Sequence, residues 1–149
     1  MTIGVVGAGA FGTGLAISLV STGQRVTLWG RQPDHVAQMQ ATGENAKRLP
    51  GIPLPASLDL TSDVWLLAET ETVLLAIPMQ QLGPFVASHR DLLDGKNLVA
   101  CCKGIDLARQ VGPSVILQES CPKSTVAVLT GPSFAIDIAR GMPTALTLA

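Results

Sequence analysis

The stretch GVVGAGAFGTGLA, residues 4–16, decides the fold. It places Gly7, Gly9 and Gly12 in G-x-G-x-x-G spacing. The apolar residues Ile3, Val5 and Val6 precede them, and Leu15, Ala16, Leu19 and Val20 follow. A short apolar strand that runs through glycines into an apolar helix is the first strand–turn–helix of a dinucleotide-binding fold. Each glycine has its own task. Gly7 makes the tight turn, Gly9 lets a pyrophosphate approach the backbone, and Gly12 lets the helix lie close to the strand. The start of that helix offers unpaired N–H groups and a partial positive charge to an anion.

Outward from this turn the chain alternates between strand and helix patterns. Strands are expected at 2–6, 25–30, 57–61, 72–78, 97–103 and 124–131, with a further one beginning in 142–149. Helices are expected at 10–22, closed by Thr22-Gly23, and at 33–40 with Pro33 in the first turn. Further helices are expected at the start of 44–55, and at 62–70, 79–89, 106–120 (interrupted at Gly112-Pro113) and 132–141 with Pro132 in the first turn. This order implies a Rossmann-like α/β fold, a doubly wound and mostly parallel sheet with helices on both faces. At 149 residues it is read as one NAD(P)-binding domain.

Composition narrows the function classes. Apolar residues make up 47% and charged residues 14%, as suits strands buried on both faces, and leave room for a surface that something else covers. A net charge of −1 gives no reason to expect nucleic acid or an anionic membrane as partner. No apolar run approaches the ~18 residues of a membrane span, and no basic stretch precedes the first apolar one as in a secretory leader. Cys101, Cys102 and Cys121 have neither disulfide nor zinc spacing, so a reduced, cytoplasmic setting without metal is expected.

Ligands of doubly wound sheets bind beyond the carboxyl ends of the strands, which makes the polar residues there the candidates. After the second strand comes Trp29-Gly30-Arg31, with no acid until Asp34. NAD-selective sites place a carboxylate here for the ribose 2′-hydroxyl, whereas an arginine forks onto a 2′-phosphate. Arg31 therefore favours NADP(H), with NAD(H) left open and a solvated loop arginine as the competing reading. Trp29 is read as core packing or an adenine neighbour. Lys103, after the fifth strand, suits a phosphate or alkoxide, or is simply solvated. Ser133, after the sixth, is read first as a helix cap and second as part of an anionic pocket with Lys103. His35 and His89 are read as surface residues, Asp137 as a solvated side chain, and Cys101-Cys102 as buried strand.

The segments GAGAFGTGLA, VTLWGR, RLPGIPLP, LLAIP, CKGID and LTGPSFAIDIARGMPTAL together resemble the bacterial-type NAD(P)-dependent glycerol-3-phosphate dehydrogenases, in that family's order along the whole chain. The resemblance implies reduction of dihydroxyacetone phosphate to sn-glycerol 3-phosphate for glycerophospholipid synthesis. It implies cofactor contacts at Ala10, Phe11, Arg31, Lys103 and Ala135, and substrate contacts at Lys103, Gly131 and Ser133. Cys102 stands where the family often has Ser or Thr. The resemblance also implies a second, helical domain carrying the catalytic lysine. No residue here matches that lysine, so this chain is expected to bind cofactor without efficient turnover. A homodimer stays open. Two rivals are kept: another two-domain hydroxyacid dehydrogenase, and a non-catalytic NAD(P)-binding module.

Overall fold

A computed structural model describes residues 1–149. The strands are β1 (Thr2–Val6), β2 (Arg25–Trp29), β3 (Asp59–Thr61), β4 (Thr72–Leu75), β5 (Asn97–Ala100), β6 (Thr125–Thr130) and β7 (Thr147–Leu148). They form one sheet in the order β3-β2-β1-β4-β5-β6-β7. The first six strands are parallel, and β7 joins β6 antiparallel, with Leu129 opposite Leu148. In β1, Val5 faces Leu28 on one side and Leu74 on the other. The strand order reverses between β1 and β4, and this is the switch point where such sheets bind ligands.

The period-two alternation of apolar strand residues splits the core into two layers. Val6, Val73, Leu75, Leu98 and Ala100 point to one face. There they meet Leu82 and Val86 of α3 (Met79–Ser88), Leu92 and Leu93 of α4 (Arg90–Leu93), and Ile116 and Leu117 of α5 (Pro113–Ser120). Ile3, Val5, Val26, Leu28, Leu74 and Val99 point to the other face. Leu15 of α1 (Ala10–Ser21), Met39 of α2 (Pro33–Thr42) and Ile138 of α6 (Ala135–Ala139) cover them. Helices on both faces of a mostly parallel sheet match the architecture expected from the sequence.

Two glycines set how closely α1 can lie. A Cβ on Gly12 would sit 2.0 Å from the Gly7 carbonyl oxygen, and one on Gly14 would sit 2.6 Å from the Ala135 carbonyl oxygen. Thr22 caps α1 and Gly23 follows with a φ of 83°, as the Thr22-Gly23 reading required. Pro33 occupies the start of α2, again as expected.

Several helix expectations were too long. Within 62–70 only a 3-10 turn forms, Val64–Leu67, capped by the Asp63 carboxylate accepting from the Trp65 N–H at 3.0 Å. Val64 and Leu67 pack on the core while Trp65 and Leu66 are exposed, so one short turn uses all of the apolar face this stretch presents inward. Lys96 Nζ donates to the carbonyls of Ala68 and Thr70 that end it. Within 106–120 only α5 is helical. The Asp106 carboxylate takes the Arg109 N–H, Gln110 adopts a φ of 54°, and Pro113 disfavours helix at the residue before it. The last helix begins at Ala135 rather than Pro132, with Phe134 as its N-cap residue. Residues 44–55 contain no helix, but a turn closed by the Arg48 and Leu49 N–H groups on the Asn45 carbonyl, and an isolated antiparallel bridge between Glu44 and Pro53. No helix is long and apolar enough to cross a membrane.

Candidate functional site

A cleft of about 710 Å³ opens at the carboxyl ends of β1, β2 and β4, at the switch point. This volume lies in the range of small-molecule and cofactor sites. Gly7, Ala8 and Gly9 form its floor, Gly30 and Arg31 one side, and Ile77 and Pro78 the other. A second cleft of about 620 Å³ lies where the strands begin, between Thr2, Arg25, Asp59 and Glu69. Only the first has an unpaired helix start beside it.

That helix start is the chemical centre of the cleft. The N–H groups of Gly9, Ala10, Phe11 and Gly12 donate to no protein acceptor, and the first N–H of α1 with a partner is that of Thr13, on the Gly9 carbonyl at 3.0 Å. Gly9 is extended, with φ −77° and ψ 179°, a conformation open to any residue. Nothing lies within 4 Å of where its Cβ would be. Space, not backbone conformation, is what Gly9 supplies. Gly7 differs, since its φ is 114° and a Cβ there would meet the Ala76 carbonyl oxygen at 2.4 Å.

Charge in the cleft is one-sided. Arg31, Arg48 and His35 line it, and no carboxylate does. Arg48 arrives on the 45–49 turn and was not foreseen. His35 is not the free surface residue expected. It is half-buried, and its Nε2 lies 2.9 Å from Asn45 Oδ1. Asn45 Nδ2 donates to the Ala8 carbonyl at 3.1 Å and to Thr13 Oγ1 at 2.8 Å. Because Nδ2 must face the carbonyl, Oδ1 faces His35, and Nε2 of His35 must be the donor.

The far wall is apolar. Trp29 is 8% exposed and belongs to the core, with Nε1 donating to the Ser62 carbonyl at 3.0 Å, yet its edge lines the cleft. Phe85 packs on Trp29 at 5.4 Å between ring centroids. His89, also read as a surface residue, is half-buried against Phe85 and bonds the Phe85 carbonyl through Nδ1.

The structure therefore gathers Gly7, Gly9 and Arg31 in one cleft. Gly12 is buried behind it, and Ala10 and Phe11 are half-buried in the first turn of α1. Lys103, Gly131, Ser133 and Ala135 stand outside the cleft lining, farther along the same carboxyl edge of the sheet, beyond β5 and β6. Lys103 is exposed and makes no hydrogen bond through its side chain. Ser133 is not the helix cap expected of it. Its hydroxyl donates to the Ala145 carbonyl at 2.9 Å and accepts from Thr144 Oγ1. Gly131 is pressed against the same strand approach, since a Cβ there would lie 2.5 Å from the Ala145 oxygen. Gln80, on the cleft wall, clasps the loop after Lys103. Its amide donates to the Ile105 carbonyl at 2.8 Å and accepts from the Leu107 N–H at 3.0 Å.

No thiol here is set up as a nucleophile. Burial pushes the Cys101 thiol up to about 12, with Cys102 adding to it. Burial also raises Cys102 and Cys121. Of the reading of Cys101-Cys102 as buried strand, burial holds for Cys101, but both cysteines lie just past the end of β5 at Ala100 and Cys102 is only half-buried. No group of His, Cys, Asp and Glu is placed to hold a metal ion.

A family model described as NAD-dependent glycerol-3-phosphate dehydrogenase N-terminus matches residues 2–149. This chain belongs to that family. It is 53% identical over its full length to a glycerol-3-phosphate dehydrogenase [NAD(P)+] of a Ruegeria species, covering 46% of that protein. It is 56% identical to the enzyme of the same name from Paracoccus denitrificans, covering 45% of it. The crystal structure of glycerol-3-phosphate dehydrogenase from Coxiella burnetii superposes with a TM-score of 0.91 at 31% identity, over 99% of this chain and 46% of that one. The chain thus spans about half the length of the relatives it matches. A ketopantoate reductase from Ralstonia eutropha shares the fold at a TM-score of 0.68 and 19% identity, over 87% of this chain and 41% of that one. The chain matches the N-terminal part of that dehydrogenase family, and the fold read from its glycine turn is the fold of that family.

Proposed function

We propose that the cleft binds a nicotinamide dinucleotide, with NADP(H) preferred over NAD(H). The observation that carries this is the set of unpaired N–H groups from Gly9 to Gly12, opening beside a Gly9 with free space where a side chain would be. These groups suit a pyrophosphate, and the α1 dipole adds to them. Arg31 and Arg48, with no lining carboxylate, suit the 2′-phosphate better than a bare ribose hydroxyl. Trp29 and Phe85 offer the apolar wall. When bound, the reduced nicotinamide supplies a hydride.

The remaining assignments rest on the family. In a protein of the relatives' length, we place dihydroxyacetone phosphate between Lys103, Gly131 and Ser133 on this side and residues beyond position 149 on the other, with Ala135 as a cofactor contact. Lys103, as an exposed cation, attracts the phosphate or the carbonyl oxygen. Carbonyl reduction also needs a proton donor at that oxygen. We assign that donor to the rest of the protein, so the 149-residue chain binds cofactor and turns over poorly or not at all.

Titration of the chain with NADPH and with NADH, followed by Trp29 fluorescence, tests the cofactor reading. Binding of NADPH tighter than NADH, with the gap closed by Arg31→Ala, is the expected result. Failure to bind either by a chain that melts cooperatively overturns it. Steady oxidation of NADPH by the chain in dihydroxyacetone phosphate overturns the assignment of the proton donor.

A further inference from the structure

We propose that Asn45 is a positioning residue of the cofactor site, which aims the Gly9 N–H into the cleft and ties the glycine turn to the loop that carries Arg48. The proposal rests on the cofactor reading above. Asn45 is 1% exposed, among few polar side chains so deeply buried, and every hydrogen-bonding atom of its amide is used. One Nδ2 proton goes to the Ala8 carbonyl at 3.1 Å and the other to Thr13 Oγ1 at 2.8 Å. Oδ1 takes the His35 Nε2 proton at 2.9 Å.

The bond to Ala8 fixes a peptide plane. No peptide bond in the chain is cis. In a trans peptide the C=O of one residue and the N–H of the next point in opposite directions. With the Ala8 oxygen drawn toward Asn45, the Gly9 N–H is turned away from Asn45. Gly9 lines the cleft, and its N–H meets no protein acceptor. The bond to Thr13 grips the same turn from the other side, because the Thr13 N–H closes onto the Gly9 carbonyl at 3.0 Å. Gly9 lacks a side chain to hold it and lies in open space. Without Asn45 the Ala8–Gly9 peptide loses its anchor, while the Thr13 N–H still holds the Gly9 carbonyl, and an N–H aimed in advance becomes one that must be ordered on binding.

The main chain of Asn45 has a second role. Its carbonyl accepts from the Arg48 N–H at 3.1 Å and the Leu49 N–H at 2.7 Å, and so closes the turn that delivers Arg48 to the cleft. A single residue thus joins Ala8, His35 and Arg48, which reach the cleft from three separate segments.

The test compares Asn45→Ala with the unaltered chain and with His35→Ala, below the melting range, by titration with NADH and NADPH. The pyrophosphate is common to both ligands. Loss of the aimed N–H therefore weakens both by about tenfold, the worth of roughly one hydrogen bond to a charged group, and keeps their ratio within about twofold. His35→Ala is expected to cost either ligand less than about threefold. Asn45→Ala with unchanged affinities overturns the proposal, as does a loss confined to NADPH or a loss fully reproduced by His35→Ala. If the unaltered chain binds neither ligand, the cofactor reading falls and takes this proposal with it. If binding is intact and only the variant is unaffected, this proposal alone falls. Should Asn45→Ala not fold, amide exchange in the unaltered chain decides. The Asn45 side-chain protons are expected to be protected before ligand is added, and the Gly9 amide resonance to move on adding NADH. Rapid exchange of the former, or no movement of the latter, overturns it.

Discussion

Replacing Gly9 and Gly12 one at a time by alanine separates folding from binding within a single turn of chain. At Gly12 the new Cβ would lie 2.0 Å from the Gly7 carbonyl oxygen and 3.2 Å from the Ala76 Cβ. Neither neighbour is the tip of a flexible side chain. To reach even a tight contact of 3.0 Å, α1 must move off the β1 turn by about 1 Å, and α1 is held on its other side where Gly14 meets the Ala135 backbone. Overpacking a core commonly costs 1–3 kcal/mol, and an obstacle made of backbone belongs at or above the upper end. Gly12→Ala is expected to lower the urea-unfolding free energy by about 3 kcal/mol or more. Gly9→Ala meets nothing within 4 Å and keeps an allowed φ of −77°, so its stability should stay within about 0.5 kcal/mol. Its methyl group instead occupies the approach to the unpaired N–H groups. Losing one or two charge-assisted hydrogen bonds there corresponds to about 2–3 kcal/mol, a loss in NADH affinity of roughly 30- to 150-fold. Chemical denaturation and fluorescence titration on the same samples read both quantities. A Gly12→Ala chain as stable as the parent refutes the close-approach argument. A Gly9→Ala chain that binds NADH like the parent refutes the placement of the pyrophosphate.

Arg31→Ala and Arg48→Ala should each weaken NADPH by about 10- to 100-fold and NADH by less than about threefold, with the difference shrinking as salt rises; equal losses for both ligands would show that neither arginine reads the 2′-phosphate. The Cys101 thiol, raised to about 12 from 9.0 by burial, binds its proton more tightly in the folded chain than in the unfolded one. Its contribution to stability is therefore complete below pH 9 and is lost as pH rises from 9 toward 12; urea unfolding at pH 8 and pH 10.5 should show the decline, and Cys101→Val should reduce it. Native chain should react slowly with a neutral thiol reagent at pH 7.5 and expose all three thiols only in urea, since Cys101 and Cys121 are buried and all three are shifted upward. Lys96→Met removes the ammonium that bonds the Ala68 and Thr70 carbonyls at 2.7 and 2.6 Å, and a loss of about 1–2 kcal/mol in denaturation is expected.

The fold was legible because its signals are local. Apolar runs of the right length, a glycine turn and a proline at a helix start each act over a few residues, and their alternation implies a mostly parallel sheet; the strand order itself is seen only in the structure. Arg31 was legible for the same reason, two residues past the end of β2. Arg48 was not, because nothing near it in sequence is periodic. It reaches the cleft through a turn anchored by a buried asparagine, and the partners of Asn45 lie at Ala8, Thr13 and His35. His35 looked like a residue on a polar helix face, and only the 45–49 turn folding back onto α2 gives it a fixed partner. Ser133 misled for a related reason. A serine after Gly-Pro reads as a cap, but the 144–145 segment runs alongside and takes its hydroxyl.

The contact between Gly14 and Ala135 also bears on the order of assembly. The glycine turn and α1 lie early in the chain, whereas α6, which packs against α1, follows all six parallel strands. A contact between such distant segments forms only after a large loss of chain entropy. The helix whose N-terminal N–H groups line the cleft is therefore expected to acquire its last neighbour late, which pulse-labelled amide exchange in α1 and α6 would check. Until α6 docks, α1 is braced through Gly12 on the strand side, and its opposite side at Gly14 lacks the Ala135 backbone that fills it in the folded chain.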